Sequence, residues 1–175
     1  MQLFSYAYFL HPMHKTVKSR LQCANKASTY LYRFDFDSEK LLTPYRFLRW
    51  GQGVSGVAHT DDLTYLFSNM MSKPMELNSR EYLTIQRMIG IWTTFAETGN
   101  PNSAKVPGMK RVKWHRLTGS GEDHLKCLNI SDNLQIMDVP EMSKLKIWNN
   151  LYSLHRELPK SNQLVDLSVY TKSAL

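Results

Sequence analysis

Apolar residues recur every three to four positions between Leu77 and Asn100. Tyr82, Ile85, Ile89, Trp92 and Ala96 fall on one stripe, which Met88, Ile91 and Phe95 widen, the pattern of an amphipathic helix. Asn78 stands at the N-cap with Glu81 three residues on, and Leu77 and Tyr82 are spaced as a hydrophobic staple. Gly99 and then Pro101 stop the run, so the spacing predicts a helix over 79–98. A second helical pattern follows Asp138: Met142, Leu145, Trp148 and Tyr152 share one side, and Glu141 sits at capping-box distance from Asp138. Near the start, Pro12 suits a first helical turn, with Val17, Leu21 and Ala24 following at helical spacing.

Three other stretches change period. Thr29-Tyr30-Leu31-Tyr32-Arg33-Phe34-Asp35-Phe36 is aromatic-rich, and its first half is apolar on both faces, which predicts a strand buried within a sheet. Val112–Leu117 and Leu125–Ile130 read as two short strands joined by a Gly119-Ser120-Gly121 turn. The result is an α/β chain without repeats or low-complexity segments. A buried strand needs neighbours on both edges, and too few other strand patterns occur here to supply them. Residues 1–158 read as one structural unit and 159–175 as a weakly patterned tail.

Composition narrows the function classes. The 175 residues are 42% hydrophobic, ordinary for a globular chain. No apolar run approaches the roughly 18 residues of a membrane-spanning helix. The opening MQLFSYAYFL is apolar but lacks a basic leader region and a small-residue cleavage site, so it reads as structure rather than as a signal peptide. The formal charge is +7, yet Lys and Arg are scattered, and Lys110-Arg111-x-Lys113 is the densest cluster. A solvated surface explains that distribution, and no nucleic-acid partner is expected. Cys23 and Cys127 have neither metal-site nor CxxC spacing; they suit either a disulfide or two buried thiols, which leaves the redox compartment open.

Of six histidines, His59 has the sharpest context. It ends the run Gly51-Gln52-Gly53-Val54-Ser55-Gly56-Val57-Ala58-His59, with three glycines in six positions, and Thr60 could cap a short helix carrying Leu63, Leu66 and Phe67. A catalytic imidazole needs such a loop to project from a scaffold into a cleft. Asp61 and Asp62 are placed to favour the next helix through its dipole rather than to serve as acid partner. His11 and His14 are expected at the surface. A nucleophile is missing: no G-x-S-x-G occurs, Gly53-Val54-Ser55-Gly56 having its second glycine one position early, and neither HGGG, HExxH nor a Walker A loop is present.

Gly56-Val57-Ala58-His59-Thr60-Asp61-Asp62-Leu63-Thr64-Tyr65-Leu66-Phe67 resembles the catalytic-histidine segment of the type-B carboxylesterase and cholinesterase family. Trp92-Thr93-Thr94-Phe95-Ala96-Glu97-Thr98-Gly99-Asn100-Pro101-Asn102 is similar to that family's W-x-x-F-A-x-x-G-x-P-N hallmark. Phe9–Arg20 and Tyr30–Ser38 look most like its insect alpha-esterase branch. The resemblance implies the C-terminal part of an α/β-hydrolase fold, an incomplete central sheet with packed helices. It implies a serine esterase that takes a small-molecule carboxylic ester and needs neither metal nor organic cofactor, with His59 as triad histidine. Triad order in this fold is Ser…Asp/Glu…His, so serine and acid are expected in sequence preceding these residues, and the chain alone is expected to be inactive. The alternative is a non-catalytic, cholinesterase-like adhesion or interaction protein. Cholinesterases bridge the helix near Cys23 to a cysteine in the terminal helix; Lys144–Trp148 contains none, so that disulfide is not carried over. Substrate specificity and oligomeric state have no signal here.

Overall fold

The computed structural model describes residues 2–23, 27–38, 55–68, 75–118, 125–140 and 142–157. The amino-terminal stretch is helical throughout: α1 (Gln2–Ser5) passes through a wider π-type turn (Tyr6–Leu10) into α2 (His11–Gln22). Pro12 sits in the first turn of α2, where no intrahelical N–H is needed. A short strand β1 (Tyr32–Phe34) follows, and a 3-10 turn spans Asp61–Tyr65. Then come α3 (Arg80–Thr98), strands β2 (Lys126–Ile130) and β3 (Leu134–Asp138), and α4 (Met142–Glu157).

The three strands form one mixed sheet in the order β1-β2-β3. β1 runs parallel to β2, Tyr32 facing Leu128 and Phe34 facing Ile130, while β2 and β3 are antiparallel with Leu128 opposite Ile136. Helices cover both faces. Leu128, Ile130 and Leu134 pack with Met88 and Ile91 of α3 and with Phe36, Tyr65 and Trp114. Cys127, Leu125 and Val139 face the other way, toward Val17 of α2 and Met142 of α4. The period-two alternation of a strand therefore feeds two separate cores. Among the described residues, β1 has a strand on one edge only.

Several sequence expectations change. The partner of β2 is β3, across the turn Ser131-Asp132-Asn133, not Val112–Leu117. That stretch is extended and makes one bond toward the β1 segment, Leu117 N–H to Thr29 O at 2.8 Å. The Gly119–Gly121 turn lies outside the described residues. Asp138 ends β3, 3.8 Å from Lys126 across the hairpin, and does not cap α4.

The N-cap of α3 is Ser79 rather than Asn78: its hydroxyl accepts the Tyr82 N–H at 3.1 Å. Glu81 is buried and accepts the Ser38 hydroxyl at 2.6 Å instead of closing a capping box. Leu77 is exposed and forms no staple against the core. Gly99 ends α3 with φ of 70°, as its position foretold. The face of α3 turned inward carries Thr84, Met88 and Ile91, whereas Ile89 and Trp92 from the expected stripe remain 44% and 45% exposed.

Candidate active site

The site is built on the segment beyond the carboxyl end of β1, the side of an open α/β sheet where ligands usually bind. Asp37 lies there, and its Oδ2 accepts the Gly56 N–H at 2.6 Å. Gly56 has φ of 111°, which a residue with a Cβ rarely adopts. Gly51 and Gly53 fall outside the described residues. Two residues beyond Gly56 the chain makes a tight turn. The Asp61 N–H donates to Ala58 O at 3.2 Å, and the Asp61 side chain accepts the Ala58 N–H at 2.8 Å. His59 and Thr60 are the two central residues of that doubly closed turn.

Thr60 adopts φ 71°, ψ 5°, the left-handed conformation of the third position of a type II turn. It is the one non-glycine residue with positive φ among the described residues, and it makes no side-chain cap to the following 3-10 turn. The expected Thr60 cap is therefore not formed. The two aspartates also depart from a simple dipole role. Asp61 turns back onto Ala58, and Asp62 accepts the Tyr32 hydroxyl at 2.8 Å, tying the turn to β1. Burial, reinforced by Asp62, raises the Tyr32 phenol above its ordinary range. The turn is fixed below by Tyr65, which is buried between Phe34 and Phe36, at ring distances of 5.1 and 5.6 Å.

His59 itself is exposed. Its ring lies 4.2 Å from that of Phe9, tilted by 35°, and makes no hydrogen bond or ion pair among the described residues. Sequence reasoning missed Phe9; nothing in its local pattern links it to a histidine fifty positions on. Ser55 is exposed on the approach to the turn. His11 and His14, expected at the surface, are buried where α2 meets α4. His11 Nε2 lies 3.1 Å from Asn149 Oδ1, and its ring stacks on Tyr152 at 4.5 Å. Cys23 is exposed and Cys127 buried, and both are free thiols. Among the described residues, no group of three His, Cys, Asp or Glu side chains could hold a metal ion. No described helix is long and apolar enough to cross a membrane.

This arrangement can present an imidazole on a rigid turn, able to accept and return a proton to groups brought against it. Known proteins resemble most of the chain. The sequence model described as the carboxylesterase family matches residues 1–148. Esterase B1 of Culex pipiens is 29% identical over 153 residues, covering 87% of this chain and 28% of the relative. The bile salt-activated lipase of Homo sapiens is 31% identical over 146 residues, covering 82% and 18%. The chain thus spans less than a third of the length of these relatives.

In structure, the chain resembles the juvenile hormone esterase of Manduca sexta with a TM-score of 0.68 at 24% identity, over 87% of this chain and 28% of that one. It also resembles the carboxylesterase EST55 of Geobacillus stearothermophilus, with a TM-score of 0.56 at 22% identity over 83% and 27%. These likenesses give the fold: the small mixed sheet and its helices are part of an α/β-hydrolase.

Proposed function

The chain belongs to the carboxylesterase family, and from that premise we propose that His59 is the histidine of a serine-esterase triad whose serine and acid lie outside these 175 residues. The observation that carries this reading is the His59 turn: an exposed imidazole held at the carboxyl end of β1 by two carboxylate-to-backbone bonds. A histidine kept only for packing would be buried and satisfied, as His11 is.

In this reading a small-molecule carboxylic ester is the substrate. His59 takes the serine proton as the hydroxyl oxygen attacks the ester carbonyl, then returns that proton to the departing alcohol. An acyl-enzyme remains. His59 next takes a proton from water, which attacks the acyl carbon, and the acid product leaves as serine regains its proton. The Phe9 ring shields one face of the imidazole, limiting the orientations available to it. No G-x-S-x-G elbow occurs in the 175 residues, so the chain by itself holds the base without the nucleophile it serves.

The test uses the complete polypeptide that carries this segment and an aryl ester as substrate. His59→Ala should lower kcat roughly 10⁴-fold or more with the melting temperature little changed. Near-normal turnover in that variant would overturn the assignment. An unmodified complete polypeptide without esterase activity would instead favour the adhesion or interaction role.

A further inference from the structure

Asp61 is 4% exposed. Burying a carboxylate is costly unless its oxygens are bonded, yet one of them, Oδ1, has no hydrogen-bond partner among the described residues. The other accepts the Ala58 N–H at 2.8 Å. The rest of Asp61 is equally committed to local structure: its N–H donates to Ala58 O, and its carbonyl accepts the Thr64 hydroxyl at 2.7 Å. The two bonds to Ala58 close the four-residue turn whose centre is His59-Thr60, and the Thr64 bond ties its end to the following 3-10 turn. That centre is strained, because Thr60 sits at φ 71°, a left-handed conformation that residues with a Cβ rarely adopt. Such strain persists only where the surroundings over-determine it, and the Asp61–Ala58 pair is the contact that closes the turn around it.

We infer that Asp61 is the positioning residue of the esterase site: its carboxylate oxygen, as a hydrogen-bond acceptor for the Ala58 N–H, sets the direction of the His59 imidazole. This rests on His59 being the triad histidine. Asp61 is not the acid partner, because Oδ2 is occupied by backbone and neither oxygen bonds the His59 ring. The role needs an acceptor at that point, not a charge. Asparagine can supply it through its amide oxygen; alanine cannot.

The experiment compares Asp61→Asn, Asp61→Ala and His59→Ala in the complete esterase, measuring kcat and KM for an aryl ester alongside melting temperature. Asp61→Ala should lower kcat by about 100-fold, the loss expected for a small misplacement of a catalytic group, with KM within about threefold. Asp61→Asn should stay within about threefold of the parent on both. An Asp61→Asn variant as impaired as Asp61→Ala, or an Asp61→Ala variant with unchanged kcat, overturns the inference. If Asp61→Ala alone does not fold, Thr60→Gly/Asp61→Ala decides, since glycine removes the strain. A folded double variant with low kcat supports positioning, and one with normal kcat refutes it. An active His59→Ala variant would sink the triad reading itself, whereas a dead one beside an unaffected Asp61→Ala sinks only this inference.

Discussion

Tyr32 joins β1 to the His59 turn through one hydrogen bond, from its hydroxyl to Asp62 Oδ2. Burial is the larger reason its phenol loses its proton less readily than usual, and the nearby Asp62 carboxylate adds to it. The folded state therefore holds this proton more tightly than the unfolded chain. The stabilisation it gives is complete below the ordinary tyrosine value of 10.0 and fades as pH rises beyond it toward the elevated native value. Tyr32→Phe lacks this titration. Measured by denaturant unfolding between about pH 9 and 11, the parent should lose stability more steeply than the variant; parallel curves would show that Tyr32 ionises as freely in the fold as out of it. At this scale the sequence is a mixed guide. The glycines before His59 and its loop setting are legible because glycine advertises an unusual φ. The left-handed Thr60 is not, because a threonine gives no such notice; its turn is closed by the Asp61–Ala58 bonds, which local sequence does not announce.

Helix α3 shows what a periodic pattern does and does not reveal. Its existence and its Gly99 stop follow from local chemistry. Its rotation does not, because hydrophobic patterning treats charged residues as outward-facing, and here two are buried with partners. Glu81 meets Ser38, while the Arg87 guanidinium donates to the carbonyls of Pro107, Ser131 and Asp132. Those tertiary bonds turn Thr84 and Met88 to the core and leave Trp92 at the rim. The β2–β3 hairpin is legible in Ser131-Asp132-Asn133, three turn-formers between two strand-like runs, but Leu134–Asp138 is short and runs directly into the helical pattern after Asp138, which masks it. Gly90 marks where α3 approaches the segment before a short 3-10 helix, Met109–Arg111. A Cβ there would stand 3.0 Å from Val106 Cγ2, and Val106 is buried. Gly90→Ala should thus destabilise by about 1–2 kcal/mol despite alanine's better helix propensity, and Gly90→Ala/Val106→Ala should behave better than the sum of the single changes. Additive thermal shifts would show that the two side chains do not collide.

At the scale of the molecule, apolar surface is left uncovered on several elements. Ile147, Leu151 and Leu154 of α4 are half to two-thirds exposed, and Ile89 and Trp92 flank the core of α3. Exposed apolar side chains along a helix favour association, and the relatives are far longer than this chain. Purified residues 1–175 should therefore self-associate or bind a hydrophobic dye, and should leave aryl esters intact; inhibitor-sensitive hydrolysis by that preparation would contradict it. Among the described residues β1 has a strand on one edge only, in keeping with a buried-type strand pattern that has few other strand patterns to flank it. What closes the known edge has a kinetic side. β1 and β2 are parallel, and the chain between them carries the His59 turn and all of α3. Helix α3 and the β2–β3 hairpin can form from near neighbours, whereas pairing Tyr32 with Leu128 must wait for a long loop to close. During refolding, helical signal should recover before the environment of Tyr32 does. The His59 turn would reach its final orientation only when the slowest pairing is made, so its completion would lag behind the apparent structure.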